Sequence, residues 1–249
     1  MNITDIFKSE HFALNENELI PIDAVKKEEE YAPFCDILNI NSKYLFFNPE
    51  GFINPFCYWD GLYYHPFMAL DTSFLIMGNY SLAEGFKIRL YNVQKAYDAG
   101  NWNLVLKYAD KKVLFQVYKK VSSMIPLENR ANTFLEIYVR SESGHASDFV
   151  RSVLEGPKDE SYNISNAEPA PSNGYYVIYR GSTPESTPVE RAFSWTLSKE
   201  IAQFFAERFD SDGVVYQGKI HADKVKAYIN NEEQEVIVFP EDIIDVKLI

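Results

Sequence analysis

Arg180, the pair Ser194 and Thr196, and the pair Glu233 and Glu235 are the residues whose types and spacing could do chemistry in this 249-residue chain. Each stands at the end or start of an apolar run, where a strand can hold a polar group rigidly. Arg180 closes the run Tyr175-Tyr176-Val177-Ile178-Tyr179 and is followed by Gly181. A guanidinium fork there could clamp a pyrophosphate in two-pronged geometry, and a glycine lets the backbone come close to a ligand. The same arginine could equally pair with a surface acid. Ser194 and Thr196 flank Trp195 and are two residues apart, so on an extended strand both hydroxyls face one side. They could position ribose oxygens or orient a glutamate, or Thr196 could compete with Ser198 to cap a following helix. Glu233 and Glu235 share a face by the same period, just past the turn signal Asn230-Asn231. Two such acids suit a reaction in which one stabilises a cation on a sugar and the other orients or deprotonates a nucleophile. With Glu232 beside them, an acidic surface turn is the alternative.

The elements that must position these residues are close-set strands around one helix. Strands are predicted over 175–179, 192–195, 214–220, 224–229 and 236–239. Ser198 caps the intervening helix, with Ile201, Ala202, Phe204, Phe205 and Phe209 on its buried side. So few helices between strands imply an antiparallel or mixed sheet. Upstream, Ser81 with Glu84 forms a capping-box pattern that opens a helix to Asp98. Helical spacing also covers 103–123, 131–140 and 146–154. A strand at 44–47 ends at Asn48-Pro49-Glu50-Gly51. Residues 52–67 read as compact turns packed by aromatics, and Phe74-Leu75-Ile76-Met77 as a short further strand. The stretch 156–173, rich in proline, serine, asparagine and acids, is either a domain boundary or a loop within one domain.

Composition narrows the function classes. The formal charge is −12, and the 17 tyrosines and 18 phenylalanines are an unusual number. The acidity is concentrated after residue 125, with 12 basic and 21 acidic side chains against 12 and 15 before it. A general electrostatic hold on DNA or RNA needs a basic face and is disfavoured. Lys107, Lys111, Lys112, Lys119 and Lys120 form either a local basic groove or a solvated helix face. Cys35 and Cys57 lack metal or redox spacing, and no signal peptide or membrane-length run is seen. The expectation is a cytoplasmic protein with reduced thiols and no membrane partner. His11, His65, His145 and His221 have no metal-ligand spacing, so no metal is expected.

The order arginine, hydroxyl pair, glutamate resembles the ADP-ribosyltransferases of the arginine–serine–glutamate class, which include many bacterial toxins. Tyr179-Arg180-Gly181 is similar to their first motif, Phe193-Ser194-Trp195-Thr196 to their second, and Glu233-Gln234-Glu235-Val236-Ile237 to their third. Trp195 stands where that class has a small residue, and Thr196 where it has serine. The likeness covers roughly residues 126–249. It implies an α+β fold with a split mixed or antiparallel β core in that half, helices packed before it, and an aromatic-rich region over residues 1–125.

The resemblance also implies roles. The substrate cofactor would be NAD, with Arg180 holding its phosphates, the Gly181 backbone its nicotinamide amide, and Ser194 and Thr196 supporting the ribose and the acid. Glu235 would be the catalytic glutamate and Glu233 would orient the acceptor. Tyr228 or Asn231 would touch the target, and Phe204 or Phe205 would stack near nicotinamide or pack in the helix core. The chain would be a mono-ADP-ribosyltransferase acting on a protein side chain or an RNA base. Similar small toxin–antitoxin effectors modify RNA in phage defence, which makes mRNA an acceptor to consider and implies a neutralising antitoxin or chaperone partner. An NAD glycohydrolase and a non-catalytic binding module on the same fold are the alternatives.

Overall fold

Helix caps and turn residues set the element boundaries. The computed structural model describes residues 13–76, 81–141, 146–168, 170–208 and 212–249. The chain divides into two units, one of residues 1–126 with 133–144, the other of 127–132 with 145–249.

In the first unit, β1 (Ile20–Pro21), β2 (Leu45–Phe47), β3 (Phe56–Trp59) and β4 (Tyr64–Phe67) form an antiparallel sheet in that order. Residues 52–67 are therefore largely a hairpin rather than a string of turns. Asp60 builds its loop, accepting the amides of Leu62 and Tyr63 at 2.8 Å each and the Tyr58 hydroxyl at 2.9 Å. Gly61, at φ +89°, supplies the left-handed residue that the turn needs.

The helices are α1 (Glu28–Leu38), α2 (Thr72–Ile76), α3 (Leu82–Asp98), α4 (Trp102–Tyr108) and α5 (Leu114–Val121), followed by α6 (Leu127–Tyr138) across the division of the chain. The three acids Glu28, Glu29 and Glu30 occupy the first turn of α1, where the helix dipole favours negative charge. Ser81 caps α3 by accepting the Glu84 amide, as the capping-box spacing predicts. The helical run 103–123 is broken in two. Asp110 accepts the Lys112 amide at 2.9 Å and turns the chain, and the four side chains Leu114, Val117, Tyr118 and Val121 of α5 are then fully buried. The run at 74–77 is helical through Ile76 rather than a strand, and Met77 lies outside the described residues.

Phe86 of α3 sits among Tyr58, Tyr63, His65 and Phe67, with ring centroids 5.3–5.8 Å apart. Burial pushes the Tyr63 hydroxyl up to about 12 and His65 down to about 4. Cys35 and Cys57 are free and buried in this unit, their thiols raised by burial to about 11 and about 12.

In the second unit, α7 (Asp148–Leu154) and α8 (Lys199–Glu207) accompany one six-stranded sheet. Its strands are β5 (Tyr175–Ser182), β6 (Ser194–Thr196), β7 (Val214–His221), β8 (Ala227–Ile229), β9 (Glu235–Ile237) and β10 (Ile243–Leu248), in the order β10-β7-β5-β6-β9-β8. Every described pairing is antiparallel, so the mixed alternative falls away and the class is α+β. β5 and β7 share eight registered pairs, whereas β5 and β6 share one, Tyr179 with Thr196. Two three-stranded halves thus meet at a narrow seam. β10 is an edge strand without counterpart among the strands read from the sequence.

One face of this sheet carries Tyr176, Ile178, Trp195, Ile220, Tyr228, Val236 and Val238, covered by Ile164 and Ala167. The Tyr176 hydroxyl donates to the Ile164 carbonyl at 3.1 Å. Residues 156–173 are accordingly a packed segment of this unit and not a boundary. On the other face α8 lies against β5 through Ala202 and Ala206. Phe204, predicted on the buried side, is 62% exposed; Phe209 lies outside the described residues.

Candidate active site

Arg180, Ser194 and Glu235 come together at the seam of the second sheet. Arg180 is near the end of β5, just past the Tyr179–Thr196 pair. Its Nη1 donates to the Ser194 carbonyl at 2.7 Å, and its Nη2 donates to the Thr187 carbonyl at 3.2 Å. The guanidinium therefore ties the loop after β5 to the first residue of β6. Ser194 then carries the connection onward, its Oγ donating to Glu235 Oε1 at 2.5 Å. The register explains the reach: Thr196 lies opposite Glu235, and Ser194 is two residues along on the same face. One serine thus contacts the arginine with its backbone and the glutamate with its side chain.

Glu235 opens β9 and is 7% exposed, a buried carboxylate that needs a donor to be tolerated. Ser194 supplies one through its hydroxyl, which also fixes the orientation of the carboxyl group. The opposite face of β6 is apolar, with Trp195 2% exposed in the core. A rigid wall behind and a hydroxyl in front hold Glu235 in one place.

Thr196 resolves its alternatives by doing neither of the jobs expected of it alone. Ser198 caps α8, accepting the Ile201 amide at 3.2 Å. The Thr196 hydroxyl accepts the Ser198 amide at 3.0 Å and donates to the Glu233 carbonyl at 2.6 Å. It joins the helix cap to the turn that delivers Glu235. The other end of that turn is held by Asn231, whose Oδ1 accepts the Glu233 amide at 3.0 Å.

Several expectations are corrected here. Glu233 is exposed and lies outside the strand, because β9 begins at Glu235 and Gln234 adopts φ +47°. A left-handed residue between the two glutamates ends the extended alternation, so the two-residue period does not place them on one face. Gly181 is crowded by the protein itself. A Cβ there would lie 2.0 Å from the Ala202 carbonyl oxygen, so its bareness is needed by helix packing. Alternation also sets Gly181 on the α8 face and Arg180 on the Ile178 face. Tyr228 is 2% exposed in the core, which removes it as a residue that touches a target.

Thr187 is a contributor that residue types alone do not reveal, since it acts through its backbone carbonyl. The Thr-Pro pair marks the loop but not the bond. Among the described residues, no three His, Cys, Asp or Glu side chains gather as a metal site. His11 and His145 lie outside those residues. Also among the described residues, no helix is long and apolar enough to cross a membrane. Compared with protein-family models, curated proteins and solved structures, the chain matches none.

Proposed function

We propose that this protein is a mono-ADP-ribosyltransferase that cleaves NAD and transfers ADP-ribose to a macromolecular acceptor, a protein side chain or an mRNA base. The observation that carries this reading is the connected series from Arg180 through Ser194 to Glu235 at the sheet seam. It links the guanidinium of Arg180 to the carboxyl group of Glu235 through the backbone and side chain of one serine.

In this reading the bond broken joins the nicotinamide nitrogen to a ribose carbon, and positive charge develops on the ribose. Glu235 stabilises that charge and holds a ribose hydroxyl, and Ser194 keeps its carboxylate aimed. Arg180 grips the phosphates. Glu233, exposed on a turn pinned by Thr196 and Asn231, orients or deprotonates the acceptor. The likeness of the three motifs to toxin-class enzymes adds a toxin or defence effector role in the cytoplasm, held in check by a neutralising antitoxin or chaperone.

The test uses the purified full chain, labelled NAD and a cell lysate separated into protein and RNA fractions, with Glu235→Gln as control. Label on one fraction that disappears in the variant is the expected result and names the acceptor class. Free ADP-ribose with no labelled polymer makes the protein a glycohydrolase, with water as acceptor. Intact NAD in every fraction overturns the enzymatic reading and leaves a binding module.

A further inference from the structure

Helix α3 of the first unit has two apolar sides, and its own unit covers one of them. Ala83, Phe86, Val93 and Ala96 are buried and pack the helix inward. On the other side Ile88 is 57% and Tyr91 64% exposed, and Leu82 is exposed at the helix start. Single exposed apolar side chains are ordinary on a surface. These two belong to a pattern. Glu84, Ile88, Tyr91 and Lys95 follow one another at spacings of four, three and four, the contact stripe of a heptad repeat. All four are exposed. Phe86 and Val93, seven residues apart, occupy the position opposite that stripe.

The ends of the stripe carry opposite charge, with Glu84 in the first turn of α3 and Lys95 in the last. Glu84 and Lys95 are equidistant from the point between Arg89 and Leu90, and so are Ile88 and Tyr91. Laid antiparallel on itself about that point, the stripe sets glutamate against lysine twice and isoleucine against tyrosine twice. A parallel pairing would set glutamate on glutamate and lysine on lysine, so charge selects the antiparallel one. By the same count Lys87 falls opposite Asn92, and no like charges meet there.

Gly85 supplies room. A Cβ there would meet nothing within 4 Å among the described residues, so no contact inside the chain calls for its bareness. Glycine inside a helix is less stable than alanine, and this one lies beside the place where the Tyr91 ring of a second copy would arrive. The charged ends are loosely engaged at home. Glu84 reaches Lys87 at 3.7 Å, and Lys95 lies 5.9 Å from the Tyr91 ring. Exposed contacts of this kind contribute little and leave both charges able to turn to a partner.

We propose that the first unit pairs with a second copy of this chain through α3, antiparallel about a two-fold axis. The contact is isologous. One helix of 17 residues with two apolar layers makes a small, reversible interface. The pairing is independent of NAD cleavage, whose residues belong to the second unit.

The experiment is sedimentation of the full chain between about 1 and 200 μM, where a monomer–dimer equilibrium is expected. Glu84→Lys sets lysine against Lys95 twice, and Lys95→Glu sets glutamate against Glu84 twice. Each should weaken self-association by about tenfold or more. Mixed in equal amounts, the two variants should pair with each other, since every contact is again of opposite sign. Misfolding of either variant could not produce that rescue. Ile88→Asp should weaken the dimer with helix content unchanged by circular dichroism. A parent that stays monomeric throughout overturns the proposal and leaves the stripe to a different protein. A dimer indifferent to both charge reversals overturns it by placing the contact elsewhere. A mixture that pairs no better than its components overturns it as well, because the two charges then do not face each other.

Discussion

The two units bury polar groups in opposite ways. In the first, Tyr63 and His65 are packed among Phe67 and Phe86, and desolvation is the largest influence on both. Their residue types suit acid–base chemistry, yet burial holds tyrosine at about 12 and histidine at about 4, each in its neutral form at pH 7. In the second, Glu235 is also nearly inaccessible but receives a hydroxyl from Ser194, which is tied through its backbone to Arg180. The Tyr63 hydroxyl lies 3.5 Å from His65 Nδ1, a long contact, whereas Ser194 Oγ donates to Glu235 at 2.5 Å; the shorter bond is the one that fixes a position. That difference, more than residue type, distinguishes the seam from the aromatic cluster.

The comparison can be broken in four places. The largest effect is expected from Phe86→Ala, which empties the centre of the aromatic cluster and should cost about 3–5 kcal/mol in urea unfolding. A loss below 1 kcal/mol would mean that the cluster can collapse around the gap. Glu235→Gln should reduce NAD cleavage by about 10²–10³-fold while melting like the parent, since the amide keeps an oxygen for Ser194. Full activity in this variant would dissolve the distinction between the units.

His65 sharpens the contrast through pH. Its folded pKa of about 4 lies below the free value of 6.5, so between these pH values the unfolded chain takes up a proton that the folded chain refuses. The contribution is complete above 6.5 and is lost as the pH falls toward 4. The stability gap between the parent and His65→Phe should shift by about 1–3 kcal/mol across that window. A pH-independent gap would show that the ring is not desolvated as described. The smallest change is Thr196→Val, which severs the bond to the Glu233 carbonyl and should cost about 1 kcal/mol. Under the proposed function it should also lower turnover more than NAD affinity, because the turn it releases carries the acceptor-side glutamate.

Legibility followed local chemistry. The Ser81 and Ser198 caps could be read because one side chain serves one nearby amide. The long strands around 175 and 214 were clear because alternation and turn signals bound them. Helix α1 was not, since Pro33 inside it reads as a breaker. α2 failed for a different reason: a run of four apolar residues fits helix and strand equally. The break at Asp110 was hidden because apolar spacing continues across it. β10 was missed where Asp245, at φ +55°, introduces an irregularity. The structure joins Arg180, Ser194 and Glu235, the three residues that the order of motifs singles out, in one hydrogen-bonded series, but the place of Glu233 is not encoded in that order. It depends on the backbone of Gln234, and no two-residue period encodes a left-handed residue. Phe204 is exposed because the alanines of α8, smaller and closer to Gly181, take the inward positions.

The two cysteines have a practical meaning beyond packing. They are the only thiols in the chain, both are sequestered, and both belong to the first unit. A thiol reagent therefore reacts at a rate set by the opening of that unit, while the unit with the seam is invisible to it. With Trp59 and Trp102 of the first unit replaced by phenylalanine, the remaining fluorescence of Trp195 follows the second unit, so one sample reports on the two units separately: a thiol clock for one and an indole lamp for the other.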